Sequence, residues 1–230
     1  MEWFRASTED NKKNLDPAFY ASLRLVYTGK FAAQELEGEF VDVGQGRVYE
    51  DFDEHNITED ADYDPERGPV ELAYDDGFTN PRVFLLIQHT EDAIYIFDEQ
   101  YHRGHLPEQC VQEVVEKVKR YTGGALPEIA IGDPSAVELK HRLRLANVPA
   151  RTPKKCPIVD GILLVRRFIR DGEGKRRLFV HPRCKGLIEE MHEYHYPEAQ
   201  RHDALDVPVK ENDHGLDALR YWVWMRKRRG

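Results

Sequence analysis

The chain has 230 residues, 40% of them hydrophobic and 33% charged, which is enough to bury one substantial core beneath a highly charged surface. Its longest purely apolar run, Val83 to Ile87, is far too short to span a bilayer, and the opening MEWFRASTEDNKK does not read as a secretory signal. The formal net charge of −9 is unevenly placed: residues 1–100 hold 8 Lys and Arg against 24 Asp and Glu, whereas residues 101–230 hold 25 against 18. A basic face for phosphates is therefore permitted in the second half.

Leu15–Phe40 has helical spacing, with Asp16 as cap and Pro17 at the first helical position. Glu50–Glu66 is densely acidic and reads as a solvated connector. Three strands are predicted next, in PVELAYDDG, RVFLLIQHT and DAIYIFDEQY. Leu106–Tyr121 follows as a helix with Val111, Val114, Val115 and Val118 on one stripe. Beyond it, strands (EIAIGD, VPARTP, RRLFVHP) alternate with helices (PSAVELKHRLRLAN, IVDGILLVRRFIR, RCKGLIEEMHEY), and a last helix opens at NDHGLD. A meander followed by alternating elements predicts one mixed α/β sheet covered by helices.

Several carboxylates fall at the ends of these elements. Asp75 and Asp76 close the first strand, Asp133 closes the strand in AIGDPSA, and Asp213 and Asp217 open the last helix. Strand ends and a helix N-terminus can meet on one rim, where clustered carboxylates repel unless a hard divalent cation lies between them. Two such ions can activate a water and stabilise the leaving oxygen of a phosphodiester. Each position also has an ordinary reading: Asp75-Asp76-Gly77 as a turn, Asp133 and Asp213 as helix caps. Their combination and order carry the functional reading. Period-2 alternation puts Asp75 and Asp76 on opposite faces, so both cannot serve equally.

Other chemistries find no support. The chain has neither a G-x-x-x-x-G-K-[ST] phosphate loop nor a G-x-S-x-G nucleophile elbow. Cys110, Cys156 and Cys184 give no Cys-x-x-Cys spacing and suit a reducing compartment. His102, His105, His192 and His195 lack the spacing of a helical zinc pair and read as surface residues.

In their order, YDDGFTNPRVFLLIQ, AIGDPSA, LFVHPRCKGLIEEM and VKENDHGLDALRY resemble the C-terminal nuclease domain of the large terminase subunit of tailed phages, the DNA-packaging motor protein. The segment from Ser7 to Phe40 resembles the linker between that family's ATPase domain and its nuclease. The resemblance implies a ribonuclease H-like α/β fold, a mixed sheet of five or more strands flanked by helices. It divides the chain into a linker at 1–45, following an ATPase domain whose motifs are missing, and a nuclease domain at 46–230. It also implies two Mg²⁺ or Mn²⁺ ions and cutting of concatemeric double-stranded viral DNA at the initiation and headful-termination steps. Portal protein and small terminase subunit would be partners in the full-length motor, in the host cytoplasm, with no membrane involved.

Carried over residue by residue, the metal ligands are Asp75, Asp133 and Asp213, with His214 and Asp217 beside the third as further ligands or supports. Asp76 departs from the family, which has an aromatic residue there. Arg151, Lys154 and Lys155, with Arg166, Arg167, Lys175, Arg176 and Arg177, are the basic residues expected at the DNA backbone. A resolvase- or transposase-type nuclease is the alternative within enzymes. A docking module for portal or small terminase, with an incidental acidic cluster, is the alternative outside them.

Overall fold

The computed structural model describes residues 12–16, 46–78, 80–197 and 207–227. The helix expected over Leu15–Phe40 lies outside them save for its first two residues, and so does nearly all of the linker at 1–45. Six strands form one sheet: β1 (Glu71–Asp75), β2 (Arg82–His89), β3 (Ile94–His102), β4 (Ala130–Gly132), β5 (Ala150–Arg151) and β6 (Leu178–Val180). Their spatial order is β5-β4-β1-β2-β3-β6. The meander β1-β2-β3 is antiparallel, while β4 joins β1, β5 joins β4 and β6 joins β3 in parallel. This is the mixed sheet expected, with one strand more than the minimum.

Among the described residues five α-helices accompany it: α1 (Pro107–Thr122), α2 (Val137–Leu145), α3 (Ile158–Ile169), α4 (Lys185–Glu193) and α5 (His214–Lys227). Alternation along β1 sends Leu72 and Tyr74 into the core under α1 and α2, and Ala73 into the core under α3, α4 and α5. On α5, Leu216, Leu219 and Val223 are buried, the stripe that the helical wheel predicts. Among the described residues, no helix is long and apolar enough to cross a membrane.

The acidic stretch from Glu50 to Glu66 is not a solvated connector. Val48, Tyr49, Phe52 and Ala61 are buried, and Asn56 donates from a buried amide to the carbonyls of Ile169 and Leu178. Its carboxylates are fixed by arginines: Asp53 by Arg176 at 2.6 Å and Asp62 by Arg183 at 2.8 Å. The charge density disguised a docked segment, because the apolar residues between the acids follow neither a helical nor a strand period.

Candidate metal centre

The strand directions bring the C-terminal ends of β1, β3, β4, β5 and β6 and the start of β2 to one edge of the sheet. Asp75, Asp133 and Arg151 therefore share that edge. Gly132 allows the close approach of β4 to β1, since a Cβ there would collide with the carbonyl and ring of Tyr74. The Asp133 N–H then donates to the Tyr74 carbonyl at 3.3 Å, setting Asp133 beside Asp75.

Helix α5 arrives at the same edge. Gly215 lets its first turn sit on Tyr101 and Glu190, whose oxygens a side chain at 215 would strike. Glu190 of α4 accepts the Leu216 N–H at 3.0 Å and so caps α5. The main-chain carbonyl of Asp213 receives the Asp217 N–H at 2.8 Å. Capping by the Asp213 side chain, the ordinary reading of NDHGLD, thus gives way to capping by Glu190.

Asp75 and Asp213 are both buried, 7% and 5% exposed. Burial pushes the Asp75 carboxyl up to about 6; the His214 hydrogen bond opposes this, and the charges of Asp217 and Asp133 add to it. Burial and then the Asp217 charge raise Asp213 as well, with His214 and Lys210 opposing. His214 Nδ1 lies 3.0 Å from Asp75 Oδ2, and that contact raises the imidazole above its usual value despite desolvation. Two buried carboxylates held toward their neutral forms, with His214 beside them, make a donor set of hard oxygens that suits a divalent cation.

The remaining expected residues divide clearly. Asp133 is half-buried and accepts both the N–H of Ser135, at 2.8 Å, and the Ser135 hydroxyl, so its turn-forming role is real. Asp217 pairs with the buried Arg220 at 2.6 Å. Asp76 points to the opposite face, as alternation requires, and pairs with Arg82 at 2.6 Å. The carboxylates of Asp75, Asp133 and Asp213 are a looser set than the two tightest potential ligand groups among the described residues, which have donor atoms within 4.8 Å of one another: His102, His105 and Cys110, and Asp53, Glu54 and His55. The latter is a surface turn in which Asp53 accepts the His55 N–H.

Of the basic residues, Arg151, Lys154 and Lys155 are exposed. Their loop leads to Cys156, whose carbonyl and sulfur lie 3.5 and 3.4 Å from Arg220 Nη1, so it borders the rim. The guanidinium groups of Arg176, Arg177 and Arg166, by contrast, serve internal partners. Arg176 binds Asp53 and the Asp51 carbonyl, Arg177 binds Asp171 at 2.6 Å, and Arg166 is buried and donates to the Val48 carbonyl at 2.7 Å. Sequence reasoning missed Glu190, which only the tertiary packing of α4 on α5 reveals. It also misplaced His102, whose side chain is only 10% exposed.

A scan of protein-family models gives no match to this chain. No curated protein matches it in sequence. Solved structures do: the large terminase of a thermophilic bacteriophage, in complex with ADP, superposes with a TM-score of 0.76 at 24% identity, over 97% of this chain and 55% of that one. The nuclease domain of the P22 large terminase gives 0.60 at 22% identity over 80% and 94%. The large terminase nuclease domain of bacteriophage SPP1 with bound Mn gives 0.57 at 18% over 78% and 98%. The chain thus spans about half the length of the ADP-bound terminase. Its structural neighbours are large terminase nuclease domains, and it has their ribonuclease H-like fold.

Proposed function

We propose that this chain is the nuclease part of a phage packaging motor, a divalent-metal-dependent endonuclease for double-stranded DNA. The observation that carries the reading is the pairing of Asp75 with the α5 N-terminus. Two buried carboxylates, each held above the ordinary carboxylate range, face one rim of a fold shared with terminase nucleases. Asp75, Asp213 and Asp133 would hold Mg²⁺ or Mn²⁺, two ions in all, which when bound supply activation of water and charge stabilisation at the phosphate. His214 orients the Asp75 carboxylate. Asp217, tied to Arg220, supports Asp213 from one turn further along α5. Arg151, Lys154 and Lys155 border the same rim and would hold the DNA backbone, while the buried sheet edge behind Asp75 excludes bulk water from the carboxylates.

The substrate would be concatemeric viral DNA, cut to initiate and to end packaging, with portal and small terminase subunit as partners of the whole motor. Incubating purified protein with supercoiled plasmid and Mn²⁺ tests the activity. Cutting that is abolished by chelator and by Asp75→Asn is expected. A folded Asp75→Asn protein that cuts at the wild-type rate overturns the proposal.

A further inference from the structure

The face of the sheet opposite Asp75 carries a second group of donors. Along β3, Tyr101 faces α5, so His102 projects to the other side, over α1. There the donor atoms of His102, His105 and Cys110 lie within 4.8 Å of one another, with the imidazole centroids 5.0 Å apart. Glu113, one helical turn beyond Cys110, places Oε2 3.4 Å from His102 Nε2. That Nε2 makes no hydrogen bond, on a side chain that is nine-tenths buried. A buried cysteine alone is ordinary core. A buried imidazole nitrogen without a hydrogen bond, on a residue clustered with a thiol and a second imidazole, is not.

We propose that His102, His105 and Cys110 form a three-ligand binding site for Zn²⁺, separate from the oxygen-lined rim at Asp75. Two imidazole nitrogens and one thiolate are a donor set that zinc takes, with water in its fourth position, and magnesium does not. Binding breaks the Cys110 S–H bond and releases its proton to water. Arg82 donates to Cys110 Sγ at 3.5 Å, and its own charge is balanced by Asp76 at 2.6 Å. Arg82 also holds the His105 carbonyl at 2.8 Å, keeping the short connection between β3 and α1 over the site. His105 is exposed and, with Glu113, lines an open groove beside the site. The bound ion would clamp that connection and, through Arg82 and Asp76, brace the strand end that carries Asp75.

The test uses Asp75→Asn protein, so that binding at the rim is disabled, titrated with Zn²⁺ and with Co²⁺ as an absorbing probe. One ion per chain and a sulfur-to-cobalt charge-transfer band are expected. Cys110→Ser should abolish the band while Cys156→Ser keeps it. His105→Ala, at an exposed position that leaves the core intact, should weaken zinc by more than the roughly 10–100-fold typical of an outer-shell change. A band that survives Cys110→Ser, unchanged zinc affinity in His105→Ala, or no zinc bound by the Asp75→Asn protein each overturns the proposal.

Discussion

Glu71 and Asp75 stand at opposite ends of the same face of β1, both buried, and their carboxyl groups are pushed in opposite directions. Glu71 accepts from Trp222 Nε1 at 2.9 Å and Arg226 Nε at 2.8 Å and lies 3.3 Å from His89 Nε2. His89 and Arg226 outweigh its burial and hold it below the ordinary carboxylate range, whereas Asp75 rises to about 6. One is a structural ion pair; the other has the unbalanced charge expected of a cation ligand.

Substitutions at the two positions should therefore have opposite effects on the chelator-treated protein. Glu71→Gln should destabilise it by about 3 kcal/mol, the low end for breaking a buried pair, because Arg226 is partly open to water. Asp75→Asn should be neutral or stabilising at pH 8. Urea denaturation of both variants checks this, and equal destabilisation would contradict the contrast.

Protons compete with a cation at Asp75. Mn²⁺ affinity and plasmid cutting should fall about tenfold per pH unit below about pH 6. In the absence of metal the sign is the reverse. A carboxylate raised from 3.8 to about 6 contributes stability that is complete below 3.8 and lost as pH rises through 6. Added Mn²⁺ should then raise the Tm more at pH 8 than at pH 5. Equal shifts at the two pH values would remove Asp75 from the ligand set.

The sheet and its helices were legible in the sequence because their patterns are regular: the valine stripe of α1, the alternation of β1 to β3, the apolar stripe of α5. Period 2 alone put Asp75 and Asp76 on opposite faces, while the choice of Asp75 came from the resemblance. The docked segment from Glu50 to Glu66 was not legible, and nor were the internal partners of Arg176 and Arg177. Partners separated by more than a hundred residues, such as Arg176 and Asp53, leave no local signal. His102 misled for a similar reason, since its burial depends on how the connection after β3 folds over α1.

Burial drives Glu190 up to about 8, against the N–H groups of Leu216 and Gly215 that it caps. Its unfolded value near 4.5 lies below that, so it contributes stability that is complete below 4.5 and lost as pH rises to about 8. Glu190→Gln keeps an acceptor for the cap but cannot ionise. Between pH 6 and 8, chelator-treated wild-type protein should lose stability relative to Glu190→Gln, and the difference should level off above about pH 8. A constant difference across this range would show that Glu190 is ionised throughout.

Lys154 and Lys155 lie on an exposed loop beside the rim, whereas Arg176 and Arg177 hold the fold together. Charge reversal of the two lysines should lower the salt dependence of DNA binding, by a log–log slope of about 0.9 for each phosphate no longer neutralised. Replacing Arg176 and Arg177 by glutamine should lower the Tm and leave that slope unchanged. Fluorescence anisotropy with duplex DNA over a salt series separates the two outcomes, and an unchanged slope in the lysine variant would place the DNA path elsewhere.

Asp213 and Asp217, one turn apart on α5, should separate by what their loss damages. Asp213 is buried, and Glu190 rather than its own side chain caps the helix. Asn in its place therefore costs no capping hydrogen bond and relieves repulsion with Asp217, so Asp213→Asn should keep or raise the Tm while losing nearly all Mn²⁺-dependent cutting. Asp217 instead balances Arg220, which is 4% exposed and lies against Cys156 at the basic loop. Asp217→Asn leaves that guanidinium without its charge partner, at a cost of about 3–5 kcal/mol for a buried pair broken on one side. Its Tm should fall while the folded protein retains part of its cutting. Measuring Tm and plasmid cutting for both variants decides the matter: full activity in Asp213→Asn removes it from the metal site, and an unchanged Tm in Asp217→Asn removes the Arg220 pair from the account of α5.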